Sequence, residues 1–328
     1  METIYYNIDY DLNIEKYFDD GQVCFLDIET TGFSRVKDII YLVGLLIYNE
    51  GKYTLKQYFL NSPEKEKLLL KSLIHDIEES KYIVTFNGNT FDIPFLNSKY
   101  RKYDIKYNIP KNKNMDLYRI IRDNKELFPL QNFKLKSIEK YIGINREDTL
   151  SGKDCISLYY SYINKRQKEK RKLILKHNYD DLYYLPFILK ALDIIDENKT
   201  IRILHSPFED EINIKIENIS FINDMMKLYC KTDPLKIDSY IDYGSFYNLD
   251  WNTDEGILNM EFQVKEGLLS TREKSFYLDL KGYENKIDVI DSTSFNLPSN
   301  IILLKIGNSL VLDNIKNIVR STIKNIIK

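Results

Sequence analysis

The chain of 328 residues has three cysteines, Cys24, Cys155 and Cys230, far apart and with no CxxC pair among them. That spacing argues against a disulfide framework and against a cysteine zinc site, and for a reducing, cytoplasmic setting. Long apolar runs are also missing. Nothing approaches the ~20 residues that a membrane-spanning helix needs, so no membrane partner is expected. The opening METIYYNIDYDLNIEKYFDD is acidic and lacks the basic-then-apolar order of a secretory signal. Neither sign of charge dominates: 47 Lys and Arg stand against 49 Asp and Glu, so a nucleic-acid surface has to come from local charge. There is no internal repeat, no low-complexity tract and no Pro/Gly linker. What the chain does have is tyrosine, 26 in all. Base stacking is one account of them; an AT-rich coding bias is the simpler one.

The length is a prior for two domains, and the texture of the sequence agrees. Residues 1–196 carry a net charge of +2 and residues 197–328 a net of −4. The first part alternates strand and helix signals. VCFLDI (23–28), IIYLVGLLIY (39–48) and YTLKQYFL (53–60) read as strands, the last two joined by a hairpin turn at Asn49-Glu50-Gly51. A helix follows over 64–79, then the strand YIVTF (82–86) and a helix from Phe91 to Tyr100. Further helices are expected at 116–123, 135–141, 153–166 and 171–195. This order predicts an α/β domain over 1–196, a mixed sheet covered by helices. After about Asn198, short runs such as INIKIE, ILNMEFQV and IILLKI point to antiparallel strands. Ile315, Ile318, Val319, Thr322, Ile323 and Ile326 share one face of a closing helix. Residues 197–328 are therefore expected to be a smaller β-rich domain ending in a helix.

Three clusters hold chemistry. Asp27 and Glu29 in FLDIETTG are two apart on a strand, so both carboxylates emerge on one face. Burying two unpaired acids costs several kcal/mol each unless cations satisfy them. An exposed strand end capping a loop accounts for the pair equally well. In VTFNGNTFDIPFL a strand runs into Asn87-Gly88-Asn89, and Asp92 opens the next helix, where capping alone would suit it. In HNYDDL, His177 and Asp181 are four apart on one helical face, the pattern of an ordinary ion pair, while Asp180 points aside as a solvated neighbour.

Taken in order, a DxE strand, an NxxxFDxP strand-to-helix turn and an HxxxD helix resemble the DnaQ-like 3′–5′ exonucleases of the RNase H-like superfamily, named DEDD for their four acids. FNGNTFDIPFL is especially similar to the second motif of the exonuclease domain of family B DNA polymerases. MDLYRI, LKSIEKYIGI and GKDCISLYYSYI look most like bacterial YprB-type RNase H-like proteins. The resemblance covers about residues 20–195. It implies an RNase H-like fold, with Asp27, Glu29, Asp92 and Asp181 as metal-binding acids and His177 as the general base. Two divalent ions, Mg²⁺ or Mn²⁺, suit such an all-oxygen set and the in-line hydrolysis of a phosphodiester. One departure stands out: relatives with histidine place it five residues before the last acid, and here it stands four before. Asp116 in MDLYRI also falls near the site by resemblance, and a helix N-cap is its other reading.

Two basic runs adjoin the motifs. Residues 99–113 hold Lys99, Arg101, Lys102, Lys106, Lys111 and Lys113 with Tyr100, Tyr103 and Tyr107 interleaved. Residues 165–176 include Arg171, Lys172 and Lys176. Lys99, Arg101, Lys102, Arg171 and Lys172 are expected to neutralise phosphates of a single-stranded nucleic acid entering by its 3′ end; solvated faces are the alternative. Asn87 and Phe91 match positions that touch the terminal nucleotide in similar domains. His75 and His205 stand in unrelated contexts. The C-terminal part shows no catalytic constellation; Trp251 and Tyr240, Tyr243 and Tyr247 fit a core or a protein partner. The expected activity is metal-dependent 3′–5′ exonuclease action on DNA or RNA. The rival is a catalytically silent nucleic-acid-binding or adaptor protein that uses its β-rich domain.

Overall fold

The N-terminal segment METIYYNI, which carries no strand expectation, forms an edge strand, β1 (Glu2–Ile8). A computed structural model describes residues 1–146, 150–205, 210–283 and 287–327, in two units, Met1–Asp193 and Ile194–Lys328. In the first unit β1 is followed by β2 (Val23–Thr30), β3 (Ile40–Asn49) and β4 (Lys52–Phe59). The β3–β4 turn is the two residues Glu50 and Gly51, both at positive φ (48° and 78°), as a twisted hairpin requires. Next come α1 (Glu66–Glu79), β5 (Tyr82–Thr85), α2 (Asp92–Lys102), β6 (Asn114–Asp116) and α3 (Leu117–Asp123). The helices α4 (Leu135–Tyr141), α5 (Gly152–Lys165), α6 (Lys168–Tyr184) and α7 (Lys190–Lys199) complete the run, α7 crossing the division between the units.

The six strands lie in the order β1-β4-β3-β2-β5-β6. The first four pair antiparallel, and β5 and β6 run parallel to β2. Besides β1, two details differ from the sequence reading. The first residues before the helix near 116 form the short strand β6. The single helix expected over 171–195 breaks into α6 and α7 around Pro186, whose ring cannot donate to the helix ladder.

Asp27 on β2 lies opposite Gly44 on β3, and Gly44 lies opposite Gln57 on β4. The three form a row across the sheet under α6. A Cβ at Gly44 would stand 2.2 Å from Leu182 Cδ1 and 2.4 Å from Asn178 Oδ1, so the missing side chain lets α6 sit directly on β3. The helix buries Ile174, Leu175, His177, Asn178 and Leu182.

The second unit is β-rich, as expected. β7 (Thr200–His205), β8 (Asp210–Ile222), β9 (Met225–Thr232), β10 (Tyr240–Tyr243), β11 (Tyr247–Asn252) and β12 (Ile257–Gln263) form an antiparallel sheet in the order β10-β11-β12-β9-β8-β7. β13 (Lys265–Leu268), β14 (Lys274–Asp279), β15 (Ile301–Ile306) and β16 (Ser309–Leu310) form a second. The closing helix α8 (Leu312–Ile326) buries Ile315, Ile318, Val319, Thr322 and Ile323 and packs on β15 and β7. Trp251 is fully buried, which makes it core; Tyr243 is exposed. Among the described residues no helix is long and apolar enough to cross a membrane.

The close approach at Gly44 yields a test. Gly44→Ala forces a methyl into Leu182 and Asn178, and overpacking of this kind costs roughly 1–3 kcal/mol. Urea unfolding followed by circular dichroism should show that loss; an unchanged midpoint would mean that α6 is free to lift.

Candidate active site

The parallel ladder between β2 and β5 stops at Phe25, so the far end of β2 projects beyond β5. Asp27 and Glu29 stand on that projecting end. The carboxylate of Asp92, in the first turn of α2, takes over from the ladder there by accepting the Ile28 backbone N–H at 3.1 Å. Asp92 is therefore buried against β2 by a bond across the sheet end, beyond any capping role. The turn that delivers it is held by Asp116, which accepts from the N–H groups of Asn87 (2.8 Å) and Asn89 (2.9 Å) and caps α3 through Arg119 N–H (3.4 Å). Asn87 sits at φ 70°, a left-handed conformation that asparagine tolerates. Asp116 thus combines the N-cap reading with the support of the neighbouring turn.

α6 closes the site from above. His177 Nε2 lies 3.6 Å from Glu29 Oε1 and 3.6 Å from Asp181 Oδ2. Asn178 donates to Asp27 Oδ2 at 2.7 Å, and its Oδ1 accepts from Gln57 at 2.8 Å. Gln57 also donates to the Leu175 carbonyl, so the row Asp27–Gly44–Gln57 is bridged by the amide that fills the space over the glycine. On β3 the register slips beside Glu29, leaving Tyr41 as the extra residue. Its ring stacks on Tyr159 at 4.1 Å and its hydroxyl donates to Glu29 Oε2 at 3.3 Å. The structure thus brings Asp27, Glu29, Asp92, His177 and Asp181 together. Asp180 turns aside and pairs with Lys176 at 2.5 Å.

Gathering acids in a poorly hydrated site disfavours their charged forms. Burial, then the charges of Asp181, Glu29 and Asp92, pushes Asp27 well above the ordinary carboxylate range, against the Asn178 hydrogen bond. Burial raises Glu29 to about 7, with His177 opposing. Burial also raises Asp92 to about 7, against the backbone N–H groups that it accepts. Three acids reluctant to ionise are short of cations, and all-oxygen donors of this kind fit hard divalent ions. Arg146 brings a cation to the cluster: its Nη2 lies 2.5 Å from Asp181 Oδ1, and its Nε lies 2.9 Å from Glu139 Oε2. Glu139 is itself raised to about 7 by burial, with Arg146 opposing.

Gln57, Asn178, Tyr41, Glu139 and Arg146 are therefore site residues that the motifs do not mark. Phe33 is another, 87% exposed in the loop after β2, with its ring 6.2 Å from that of Phe91. An interior glycine in β3 was the available signal for Asn178; the Arg146 contacts have no local signature.

The basic runs divide. Lys99 is fully buried, 3.5 Å from Glu66 and donating to the Asp38 carbonyl, which removes it from any exposed strand path. Tyr100 is buried and Tyr103 donates to Glu66, so two of the interleaved rings are spent inside the fold. Lys113 donates to the carbonyls of Ile77 and Glu78. Arg101 and Lys102 are exposed, Lys102 bonding the Val36 carbonyl at 3.2 Å. Arg171 pairs with Glu2 at 2.6 Å and Lys172 with Glu169 at 3.0 Å. His75 is a surface residue 3.4 Å from Glu79, and His205 ends β7.

A family model for the RNase H superfamily matches residues 24–193, which hold the sheet apart from β1 and the first residue of β2, and all five clustered residues. The chain belongs to the RNase H superfamily. The uncharacterised protein YprB of Bacillus subtilis (strain 168) is similar, 26% identical over 174 residues, which are 52% of this chain and 41% of that protein. The chain thus spans less than half of that relative's length. Among solved structures it is similar to the family B DNA polymerase of the hyperthermophilic archaeon Pyrobaculum calidifontis (17% identity, 54% of this chain and 25% of that one, TM-score 0.43). It is also similar to apo exonuclease I (14% identity, 64% and 56%, TM-score 0.34).

The raised carboxyl groups predict how stability follows pH. Glu29 and Asp92 titrate near 7 when folded and near 4.5 and 3.8 when free, so between those limits the folded state holds protons that the unfolded chain has released. Stability of the metal-free protein should fall as pH rises through that window and level off above about 7. Thermal melts in EDTA should be lower at pH 8 than at pH 6 by several degrees, and Mn²⁺ should raise the pH 8 melt more. Equal melts at the two pH values would show that burial does not hold these acids above their free range.

Proposed function

We propose that residues 1–193 form a metal-dependent nuclease that trims single-stranded DNA or RNA from the 3′ end as a 3′–5′ exonuclease. The observation that carries this reading is the contact of His177 with both Glu29 and Asp181, 3.6 Å each, beside the clustered carboxyl groups of Asp27 and Asp92. Asp27, Glu29, Asp92 and Asp181 are the residues that would hold two divalent ions, Mg²⁺ or Mn²⁺. Such ions supply Lewis acidity toward the attacking water and the leaving oxygen of a phosphodiester.

The chain's own residues do the rest. His177 Nε2, facing the acids, accepts the proton of the water. Asn178 fixes Asp27, Tyr41 fixes Glu29, and Arg146 fixes Asp181, so three of the four acids are oriented from outside the site. Phe33 and Phe91 present a half-exposed aromatic corner on which a terminal base can stack, and Asn87 borders it. Of the bases expected to neutralise phosphates, Arg101, Lys102 and Lys172 are exposed and Arg171 is half-buried beside Glu2. Lys99 has no part in substrate contact.

Digestion of 5′- and 3′-labelled DNA and RNA oligonucleotides with Mg²⁺ or Mn²⁺ decides the matter. A 5′ label should give a descending ladder and a 3′ label should give mononucleotide at once. His177→Ala should lower kcat by about 10²–10⁴-fold with metal binding intact. Asp27→Asn should lower it further, since a ligand is lost. Oligonucleotide binding without cleavage under either metal would favour the silent binding protein instead.

The basic residues have their own test. Neutralising Arg101, Lys102, Arg171 and Lys172 together should weaken binding and flatten its dependence on log salt by ~0.7 for each phosphate that is no longer neutralised. Cleavage of bound substrate should hardly change. An unaltered salt slope would make these residues a solvated face.

A further inference from the structure

Among the described residues one group combines three different ligand chemistries. An oxygen of Glu29, the Sγ of Cys155 and an imidazole nitrogen of His177 all lie within 4.8 Å of one another, and all three residues are buried. They come from β2, α5 and α6. The first turn of α5 is pinned by a capping box, Ser151 and Asp154 bonding reciprocally, which fixes where Cys155 projects. Tyr41 holds the other oxygen of Glu29, leaving Oε1 toward His177 at 3.6 Å. Ligands around a tetrahedral ion with bonds of about 2.0–2.3 Å stand roughly 3.3–3.6 Å apart, so the imidazole–carboxylate pair already has the spacing, and the thiol lies within 4.8 Å of both.

Oxygen-only sites suit Mg²⁺ and Mn²⁺, whereas a thiolate and an imidazole select softer ions, and affinity rises from Mn²⁺ toward Co²⁺ and Zn²⁺. We propose that Glu29, Cys155 and His177 bind a zinc-class divalent cation, and that this cation silences the nuclease site by taking Glu29 and His177 out of it. The thiol proton leaves to solvent as the Cys155–metal bond forms. The binding claim stands on the three ligands alone, and the silencing claim rests on the nuclease reading. The spacing of cysteines in the sequence conceals such a site, because only one of its ligands is a cysteine.

Cobalt(II) added to the full chain, stripped of other metals, tests the binding. One equivalent should produce a thiolate-to-cobalt charge-transfer band in the near ultraviolet. Cys155→Ser and Cys155→Ala should both abolish it while Cys24 and Cys230 remain, and His177→Gln should weaken it. In parallel, the Zn²⁺ concentration that halves Mn²⁺-supported cleavage, taken relative to each protein's own rate, should rise by about tenfold or more in the Cys155 variants. A band that is absent, or that survives in both Cys155 variants, overturns the site. A band without cleavage under any metal upholds the site and defeats the nuclease reading. Cleavage without a band does the reverse.

Discussion

The site depends on a side chain that is missing. Gly44 stands between Asp27 and Gln57 in a row across β2, β3 and β4, and the space over it is filled by Asn178 from the helix above. The depth to which α6 sinks there sets three contacts at once. It lets Asn178 reach both Asp27 and Gln57, it brings Leu182 onto the sheet, and one turn of the same helix presents His177 to Glu29. A methyl at position 44 would disturb all of them together, because they hang from a single rigid element.

The electrostatics run against the packing. Asp27, Glu29 and Asp92 are pushed upward mainly by burial, so the metal-free site sits in a state that the fold itself disfavours. Asp92 meets the Ile28 N–H and Asp27 the Asn178 amide, but neither bond needs a carboxylate. Apolar residues of similar size would give a more stable domain, and a cluster of perturbed groups kept at such a cost is what a functional site requires. Arg146 relieves Asp181, and it does so with a second carboxylate, Glu139, held at its back. That partner limits how much positive charge reaches the cluster, which leaves the demand for external cations in place.

Much of this was legible in the sequence because it lies in local patterns. Alternation and apolar runs marked β2 to β5, and the turn chemistry of Glu50-Gly51 marked the β3–β4 hairpin. Spacing placed Asp27 with Glu29 and His177 with Asp181 on one face, while the joining of these with Asp92 into one set came from the resemblance of the three motifs taken in order. The mixed sheet covered by helices, and the β-rich part closed by a helix, follow from the same signals. β1 escaped because its partner β4 lies about fifty residues away in the chain and, as an edge strand, it buries none of its residues fully. The pattern overstates the length of α6 because its apolar face continues past Pro186, which ends it.

What escaped in the site escaped for a different reason. A lysine in a basic run says nothing about whether it faces solvent, and Lys99 became an internal ion pair because α2 turns it toward Glu66 on α1. Arg146, Glu139 and Gln57 meet the acids only through tertiary contact, which no spacing rule reaches. Asn178 is the exception. A glycine inside an otherwise unbroken apolar strand such as IIYLVGLLIY marks a place where another element comes close. With β3 set beside the strand of Asp27 and Glu29, that element has to lie over the acids. The helix with His177 and Asp181 is the one whose own acid demands that place, and the residue beside His177, an amide able to donate and accept at once, is the group that such a gap between a carboxylate and a glutamine would take.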